Sequence, residues 1–232
     1  MASWNVRTLL NIERETELMM RRTAVVSKQL ERLNIDIAGL QETRLEGEGV
    51  KKEENFTIFW SGVKAGERRQ SGVAFAIRNE IVERMVDTPR GINERIITVR
   101  IPLKRGRFAS VICVYAPTMS NTAEVKEQFY RKLTEVIENI AVEDKLIILG
   151  DLNARVGSDN RIHGPVIGKF GKGNRNSNGE MLINFCAQFG LIITNTYFKQ
   201  PERNYYTWKH PRSKDYHLLD YVIRKSENIE LT

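Results

Sequence analysis

The sequence predicts packed β-sheets with helices outside them, an α+β fold. Three observations lead there. Short apolar runs outnumber helical patterns, and they are rich in Val, Ile, Phe and Tyr. Several of these runs sit close enough together to pair as hairpins. The helical stretches carry an apolar stripe along one side, which suits an element laid on a sheet.

Taken in order, "SWNV" reads as a short strand. Asn11 to Asn34 reads as a helix, because Leu18, Val25, Val26, Leu30 and Leu33 fall close to a helical period. "IDIAGLQET" is a strand. "FTIFWSG" and "SGVAFAIRN" are two strands around a charged, glycine-containing loop, and "RIITVRIPL" and "FASVICVYAP" form a second pair joined by "LKRGR".

Thr122 to Ile140 is a helix. Asn121 is placed to cap it, with Glu124 three residues on, and Val125, Phe129, Leu133, Val136, Ile137 and Ile140 form its stripe. "KLIILGD" follows as a strand. Ser177 and Glu180 have the S-x-x-E spacing of a capping box. They open a helix that buries Leu182, Phe185, Cys186 and Phe189 and stops at Gly190. "LIITNT", "YYTWKH" and "HLLDYVIR" close the chain as strands.

The 232 residues suffice for one core, so residues 1–232 are expected to form a single domain. Hydrophobic content of 41% with 28% charged residues is a globular composition, not a disordered one. No apolar run approaches the ~20 residues that span a bilayer, so no membrane partner is expected. The start, "MASWNVRTLL", lacks a basic stretch followed by an apolar core and does not read as a secretory leader. Cys113 and Cys186 both lie in apolar surroundings and read as buried, reduced thiols without a disulfide-linked partner. That usage suits an intracellular compartment, nuclear or cytoplasmic.

The formal net charge is +7. Between residues 161 and 214 there are nine Lys/Arg and two acids, so this segment alone accounts for the whole excess. Such a segment is either a solvated basic surface or a face for a polyanion, since phosphates reward clustered cations through counterion release. Lys172 and Arg175 in the glycine-rich "GKFGKGNRNSNG" loop, with Lys209 and Arg212, are the expected nucleic-acid contacts. They would grip phosphate rather than bases. Trp208 in "YTWKHP" reads as core rather than as a base-stacking residue.

Several strands share a polar residue at or near one end: Asn5, Glu42, Tyr115, Asp151 with Asn153, and Asp220. Taken singly, each is an ordinary turn or cap residue. Together they suit metal-assisted phosphoryl transfer. Mg²⁺ takes a few hard oxygen ligands and keeps its waters. Glu42 with the amide oxygen of Asn5 could hold it against a phosphate. A second carboxylate could manage a proton, while Asn and Tyr hydrogen-bond the phosphate. Asp151 and Asn153, two apart, can point the same way into one phosphate site. No zinc-spaced His/Cys cluster, glycine-rich phosphate loop or G-x-S-x-G occurs in the sequence.

"SWNVRTL", "DIAGLQETR", "SGVAFAI", "VYAPT", "LGDLNARVG", "NSNGEMLINFC" and "YTWKHP…HLLDYVI" resemble the endonuclease/exonuclease/phosphatase superfamily, in the family's order and over nearly the whole chain. The nearest branches are the endonuclease domains of RTE-type non-LTR retrotransposons and the craniofacial development protein 2-like proteins. The resemblance implies a DNase I-like four-layer sandwich, two mixed sheets face to face with helices outside. It implies a Mg²⁺-dependent phosphodiesterase, with Mn²⁺ as a possible substitute, that nicks DNA and leaves a 3′-hydroxyl to prime reverse transcription. Asn5 and Glu42 match metal-side positions and Tyr115 a phosphate contact. Asp151 matches the residue handling the water or leaving-group proton, Asn153 a phosphate holder, and Asp220 the carboxylate that orients a catalytic histidine.

In that family a strand ending in Ser-Asp-His follows the "LDY" strand. Here the sequence stops twelve residues after Asp220, so the resemblance implies an impaired site. His163 and His210 match no catalytic position. His217 is three residues before Asp220, and on one continuous strand the two would face opposite ways. A phosphatase of phosphoinositides or small phosphoesters, and a non-catalytic nucleic-acid- or partner-binding remnant of the fold, remain as alternatives. The sequence sets neither the oligomeric state nor the DNA target.

Overall fold

The computed structural model describes residues 1–11, 21–161, 164–209 and 213–226. The chain forms two compact units, Met1–Tyr115 and Ala116–Thr232, and carries two mixed sheets flanked by helices.

The first unit runs β1 (Ala2–Asn5), α1 (Arg22–Arg32), β2 (Ile37–Gln41), β3 (Glu48–Lys52), β4 (Phe56–Ser61), β5 (Val73–Arg78), α2 (Asn79–Val82), β6 (Arg90–Asn93), β7 (Ile96–Pro102) and β8 (Phe108–Tyr115). One sheet has the order β1-β2-β5-β4-β3. Only β1 and β2 are parallel in it. Strands β6, β7 and β8 form an antiparallel meander with a bulge between Gly91 and Asn93.

The two layers of this unit meet face to face. The Gln41 amide donates to Cys113 Sγ at 3.1 Å, and Ser61 Oγ donates to Asn93 O at 2.9 Å. Helix α1 covers the other face of the β1–β5 sheet, where Leu9, Val26 and Leu30 pack on Ala38, Leu40, Phe56, Ile58, Ala74 and Ala76. Alternation explains the choice of residues on β5. Small Ala74 and Ala76 let the helix come close, and Val73, Phe75 and Ile77 point into the sandwich. Covered on both faces, β2 and β5 read as unbroken apolar runs. The start of α1 is clipped to the β3–β4 turn: Thr23 Oγ1 donates to Glu53 Oε1 at 2.7 Å and Arg21 Nη2 to Oε2 at 3.1 Å.

The second unit runs α3 (Ala123–Glu138), β9 (Lys145–Asp151), α4 (Ser177–Gln188), β10 (Leu191–Ile193), β11 (Trp208–Lys209), β12 (Tyr216–His217) and β13 (Asp220–Lys225). β13 lies between β10 and β9, antiparallel to both. β11 and β12 form a separate short ribbon. Phe129, Leu133 and Ile137 are the buried stripe of α3, and Tyr130 meets Phe185 of α4 with ring centroids 5.2 Å apart.

Several expectations shift. Helix α1 begins at Arg22, and the earlier part of the expected helix falls largely on residues 12–20, outside the described residues. The N-cap of α3 is Thr122, because Asn121 folds its side chain back to accept from Thr118 N at 2.8 Å. Val125 on that helix is exposed. The N-cap of α4 is Asn176, accepting from Gly179 N at 2.8 Å, so Ser177 is already helical and Glu180 pairs with Arg175 instead. "LIITNT" leaves the sheet after Ile193, where Thr196 Oγ1 donates to Ile193 O at 2.6 Å and closes a 3₁₀ turn. "HLLDYVIR" is two strands, broken at Leu218 and Leu219.

Candidate active site

In the first unit, Asn5 lies opposite Gln41 on parallel neighbours β1 and β2, and Glu42 follows directly. Asn5 and Glu42 therefore leave the same end of the sheet. Each is held by its own turn. Asn5 Oδ1 accepts from Arg7 N at 2.9 Å. Glu42 and Arg44 have φ of 58° and 59°, left-handed values that cost a non-glycine residue about 1–2 kcal/mol. Backbone bonds hold this shape: Leu9 N to Thr43 O at 2.8 Å, Thr43 N to Gly72 O at 3.0 Å and Arg44 N to Ser71 O at 2.9 Å. Gly72, at φ 114°, must be glycine, since a Cβ there would run into Thr43 Oγ1. Strain of this kind persists where surroundings impose it, and it clusters at functional sites.

Arg44 Nη2 lies 2.6 Å from Glu42 Oε1. Arg44 Nε and Thr43 Oγ1 are buried without a hydrogen-bond partner among the described residues. Tyr115 ends β8, buried, with the Arg95 guanidinium 5.5 Å from its ring centre and Arg95 Nη1 donating to its carbonyl at 3.2 Å. Sequence reasoning missed Arg44 and Arg95. The only available signal for Arg44 was its place two residues after Glu42.

In the second unit, Asp151 ends β9 and Asp220 begins β13, and the two are direct antiparallel partners. Side chains of such a pair share one face of the sheet. Asp151 is 5% exposed. Burial first, and the Asp151 charge second, push the Asp220 carboxyl up to about 7, against a lowering hydrogen bond from Thr207. Thr207 Oγ1 accepts from Leu219 N at 3.1 Å and Asp220 N at 3.2 Å. Both lone pairs are thereby used, which leaves its proton for the Asp220 carboxylate. Asp220 Oδ1 is buried with no hydrogen-bond partner among the described residues.

Asn153 does not share a strand with Asp151. The chain turns at φ 46°, Asn153 N donating to Asp151 Oδ1 at 2.9 Å and Nδ2 to Ala116 O at 2.9 Å. Its side-chain oxygen is the atom left to offer an ion or a phosphate. Alternation along a strand was the wrong reason for this placement; an Asx turn achieves it. Two asparagines of "RNSNGE" hold the same loop. Asn178 Nδ2 donates to Pro117 O at 3.0 Å and Asn153 O at 2.9 Å, and Asn176 Oδ1 accepts from Arg155 N at 2.9 Å.

Among the described residues no histidine meets the Asp220 side chain; its neighbours are Thr207 and Asp151. His217 stacks on Trp208 with centroids 5.8 Å apart, so Trp208 is half-buried in the ribbon rather than core. The strand break before Asp220 removes the alternation argument for His217. His163 and His210 lie outside the described residues, as does Arg212. Arg175 turns inward: Nε donates to Val156 O at 3.0 Å, Nη2 to Asp159 O at 2.9 Å and Nη1 to Glu180 Oε2 at 3.0 Å. Its guanidinium is committed to the loop rather than offered to a phosphate. Lys172 bonds Glu202 Oε2 at 2.8 Å over the Tyr205 ring. Lys209 is exposed, its Nζ 4.9 Å from the Tyr216 ring centre.

No group of three or more His, Cys, Asp or Glu among the described residues could hold a metal. The donors present are single carboxylates and amide oxygens on strained strand ends. That set fits Mg²⁺, which needs few protein ligands beside water and phosphate, and does not fit zinc.

A family model described as the Endonuclease/Exonuclease/phosphatase family matches residues 2–231. Craniofacial development protein 2 of Bos taurus is 35% identical over 221 residues, 95% of this chain and 35% of that protein. The Tragulus javanicus protein of that name is 34% identical over 95% of this chain and 36% of its own length. The chain thus spans about a third of the curated relatives it matches. Among solved structures, the AP endonuclease LMAP from Leishmania major superposes with a TM-score of 0.61 at 16% identity, covering 97% of this chain and 78% of that one. The 3′ phosphatase NExo from Neisseria, bound to a product DNA hairpin, gives 0.59 at 20% identity over 96% and 85%. D. rerio TDP2 with a single-strand DNA product gives 0.58 at 13% identity over 96% and 82%.

Proposed function

This chain belongs to the endonuclease/exonuclease/phosphatase family, and from that premise we propose that it is a Mg²⁺-dependent phosphodiesterase domain that nicks DNA, of the retrotransposon type. One observation carries the reading: buried Asp151 lies directly across the strands from half-buried Asp220, and Asn153 N donates to an Asp151 carboxylate oxygen. Carboxylates placed opposite each other disfavour joint ionisation, and perturbed groups of this kind cluster at functional sites. The DNA named with two of the structural relatives supports the choice of substrate.

In the first unit, Asn5 and Glu42 would hold the ion, with Mn²⁺ an acceptable substitute. The ion supplies charge neutralisation at the phosphate and at the leaving oxygen. Tyr115 donates to the phosphate. In the second unit, taken by itself, Asn153 would orient a phosphate group and Asp151 would manage a proton. Lys209 and Arg212, with Lys172 once released from Glu202, contact the DNA backbone and carry affinity without sequence information.

Arg44 on Glu42 favours a second reading, a DNA-binding domain that takes no metal, because the guanidinium already neutralises the proposed ligand. Conversion of supercoiled to open-circular plasmid in Mg²⁺, absent in Glu42→Gln, supports the nuclease. DNA binding without nicking, unchanged by Glu42→Gln, overturns it. Phosphate release from inositol lipids in place of nicking would assign the phosphatase alternative.

A further inference from the structure

Strand β3 (Glu48–Lys52) is the outer strand of the β1–β5 sheet in the first unit, paired with β4 alone among the described residues. The bonds at the two ends of this hairpin fix which backbone groups point outward. Glu53 N donates to Phe56 O at 2.8 Å and Gly62 N to Gly47 O at 2.8 Å. Along an antiparallel pair, bonded and non-bonded positions alternate. Gly49 and Lys51 therefore bond inward to β4, and the N–H and C=O groups of Glu48, Val50 and Lys52 face out along the edge. All three residues are exposed, and Val50 is 58% exposed, a large apolar side chain on a sheet edge. Glu48, Lys51 and Lys52 form no ion pair among the described residues. On the other face the Trp60 indole lies across Gly49, where a Cβ would run into the ring.

We propose that β3 is a self-association edge: two copies of this chain pair β3 to β3, antiparallel, about a two-fold axis at Val50. Lysines on a sheet edge ordinarily repel a second strand. Here the sequence "EGVKK" is complementary to its own reverse. Glu48 meets Lys52 of the second copy, and the symmetry repeats that pair. Val50 meets Val50 and leaves the water. These are the outward-facing positions, so each facing pair exchanges both of its N–H···O bonds. On the other face Lys51 lies opposite Gly49 of the second copy, where the missing Cβ opens the Trp60 ring to its ammonium. Sliding one copy by two residues sets Lys51 against Lys51 and Glu48 against Glu54, so the charges select one register. The opposite edge of the same sheet, β1, reads "ASWN" and has no charges to match. One short strand a side is far less than a standard interface, so the dimer is weak and forms at high protein concentration.

Sedimentation velocity on the chain alone, without DNA or metal, tests this. With rising concentration the unmodified chain should pass from monomer to dimer, and less readily at high salt. Monomer at every concentration overturns the proposal and leaves the edge to a strand of other sequence. Glu48→Lys and Lys52→Glu should each weaken self-association about tenfold, because each turns two attractive cross-strand pairs into two repulsive ones. Mixed in equal amounts, the two variants should pair with each other about as well as the unmodified chain pairs with itself. In the mixed dimer alone, every one of these positions again faces its opposite charge. A dimer that survives Glu48→Lys unchanged, or a mixture that fails to pair, overturns the β3–β3 contact. Val50→Pro removes an outward N–H that the hairpin does not use, a place where a sheet tolerates proline. It should abolish the dimer with little change in urea midpoint, and undiminished dimer in that variant overturns the proposal. The charge variants, both at exposed positions, decide the matter if Val50→Pro fails to fold.

Discussion

Arg44 turns back on Glu42, its Nη2 2.6 Å from a carboxylate oxygen two residues earlier. On the proposed reading, guanidinium and cation would compete for one oxygen. Arg44→Ala should tighten Mg²⁺ binding by up to about fivefold, since a part-exposed ion pair is worth roughly 0–1 kcal/mol. Glu42→Gln should remove the binding heat. Calorimetry with Mg²⁺ alone checks both, and weaker binding in Arg44→Ala would show that the arginine supports the site rather than blocking it.

Asn178 ties the loop carrying Asn153 to the start of α4, donating to Pro117 O and Asn153 O from a nearly closed position. Asn178→Ala leaves two carbonyls without their donor. Unmet buried polar groups cost about 1–3 kcal/mol each. The urea midpoint should fall accordingly, and a variant of unchanged midpoint would mean that water replaces the amide without loss.

Asp220→Asn should stabilise the fold in a pH-dependent way. The folded-state carboxyl titrates near 7, above its ordinary value of 3.8. The unfolded chain then binds fewer protons than the folded one between these values. Stability from this group is complete below 3.8 and is lost as pH rises towards 7. The gain in Tm of Asp220→Asn over wild type should be near zero at pH 3.5 and grow up to pH 7 to 8. A gain independent of pH would point to packing instead.

Arg175→Ala should act on stability before it acts on DNA. Its three bonds close the loop onto Val156, Asp159 and Glu180. Hydrogen bonds involving a charged group contribute about 1.5–3 kcal/mol, so the urea-derived stability should drop by roughly that much. Loss of DNA affinity at full stability, with a shallower salt dependence, would restore Arg175 as a phosphate contact.

Much of the architecture was legible where both faces of a strand are covered. β2, β5 and β9 announce themselves as apolar runs of strand length. β3 does not, because "EGVKK" is an edge strand with exposed charges, paired only with β4. β6 is four residues with a bulge and has no alternation to read. The capping positions were each misplaced by one residue, since Asn121 and Asn176 both offer side chains that bond either backward or forward. Strand-end positions of Asn5, Glu42, Asp151 and Asp220 could be read from composition. That Asp151 and Asp220 oppose each other could not, because it is a matter of register between strands 69 positions apart. Nor could the partners of the basic segment be read from the +7 excess: Arg161, Lys172 and Arg175 meet Asp159, Glu202 and Glu180 in space.

The two cysteines fall one to each unit, Cys113 in β8 and Cys186 in α4, and both are fully enclosed. Burial pushes the Cys113 thiol up to about 12, and Cys186 is raised by the same cause. Neither can present a thiolate while its unit stays closed. The chain thus carries two built-in clocks. Under a thiol-blocking reagent, each sulfur is modified only as fast as its own surroundings open, and peptide mapping tells the two apart. Matching clocks mean that the halves unfold as one cooperative body. Unequal clocks identify which half gives way first, with no label or mutation introduced.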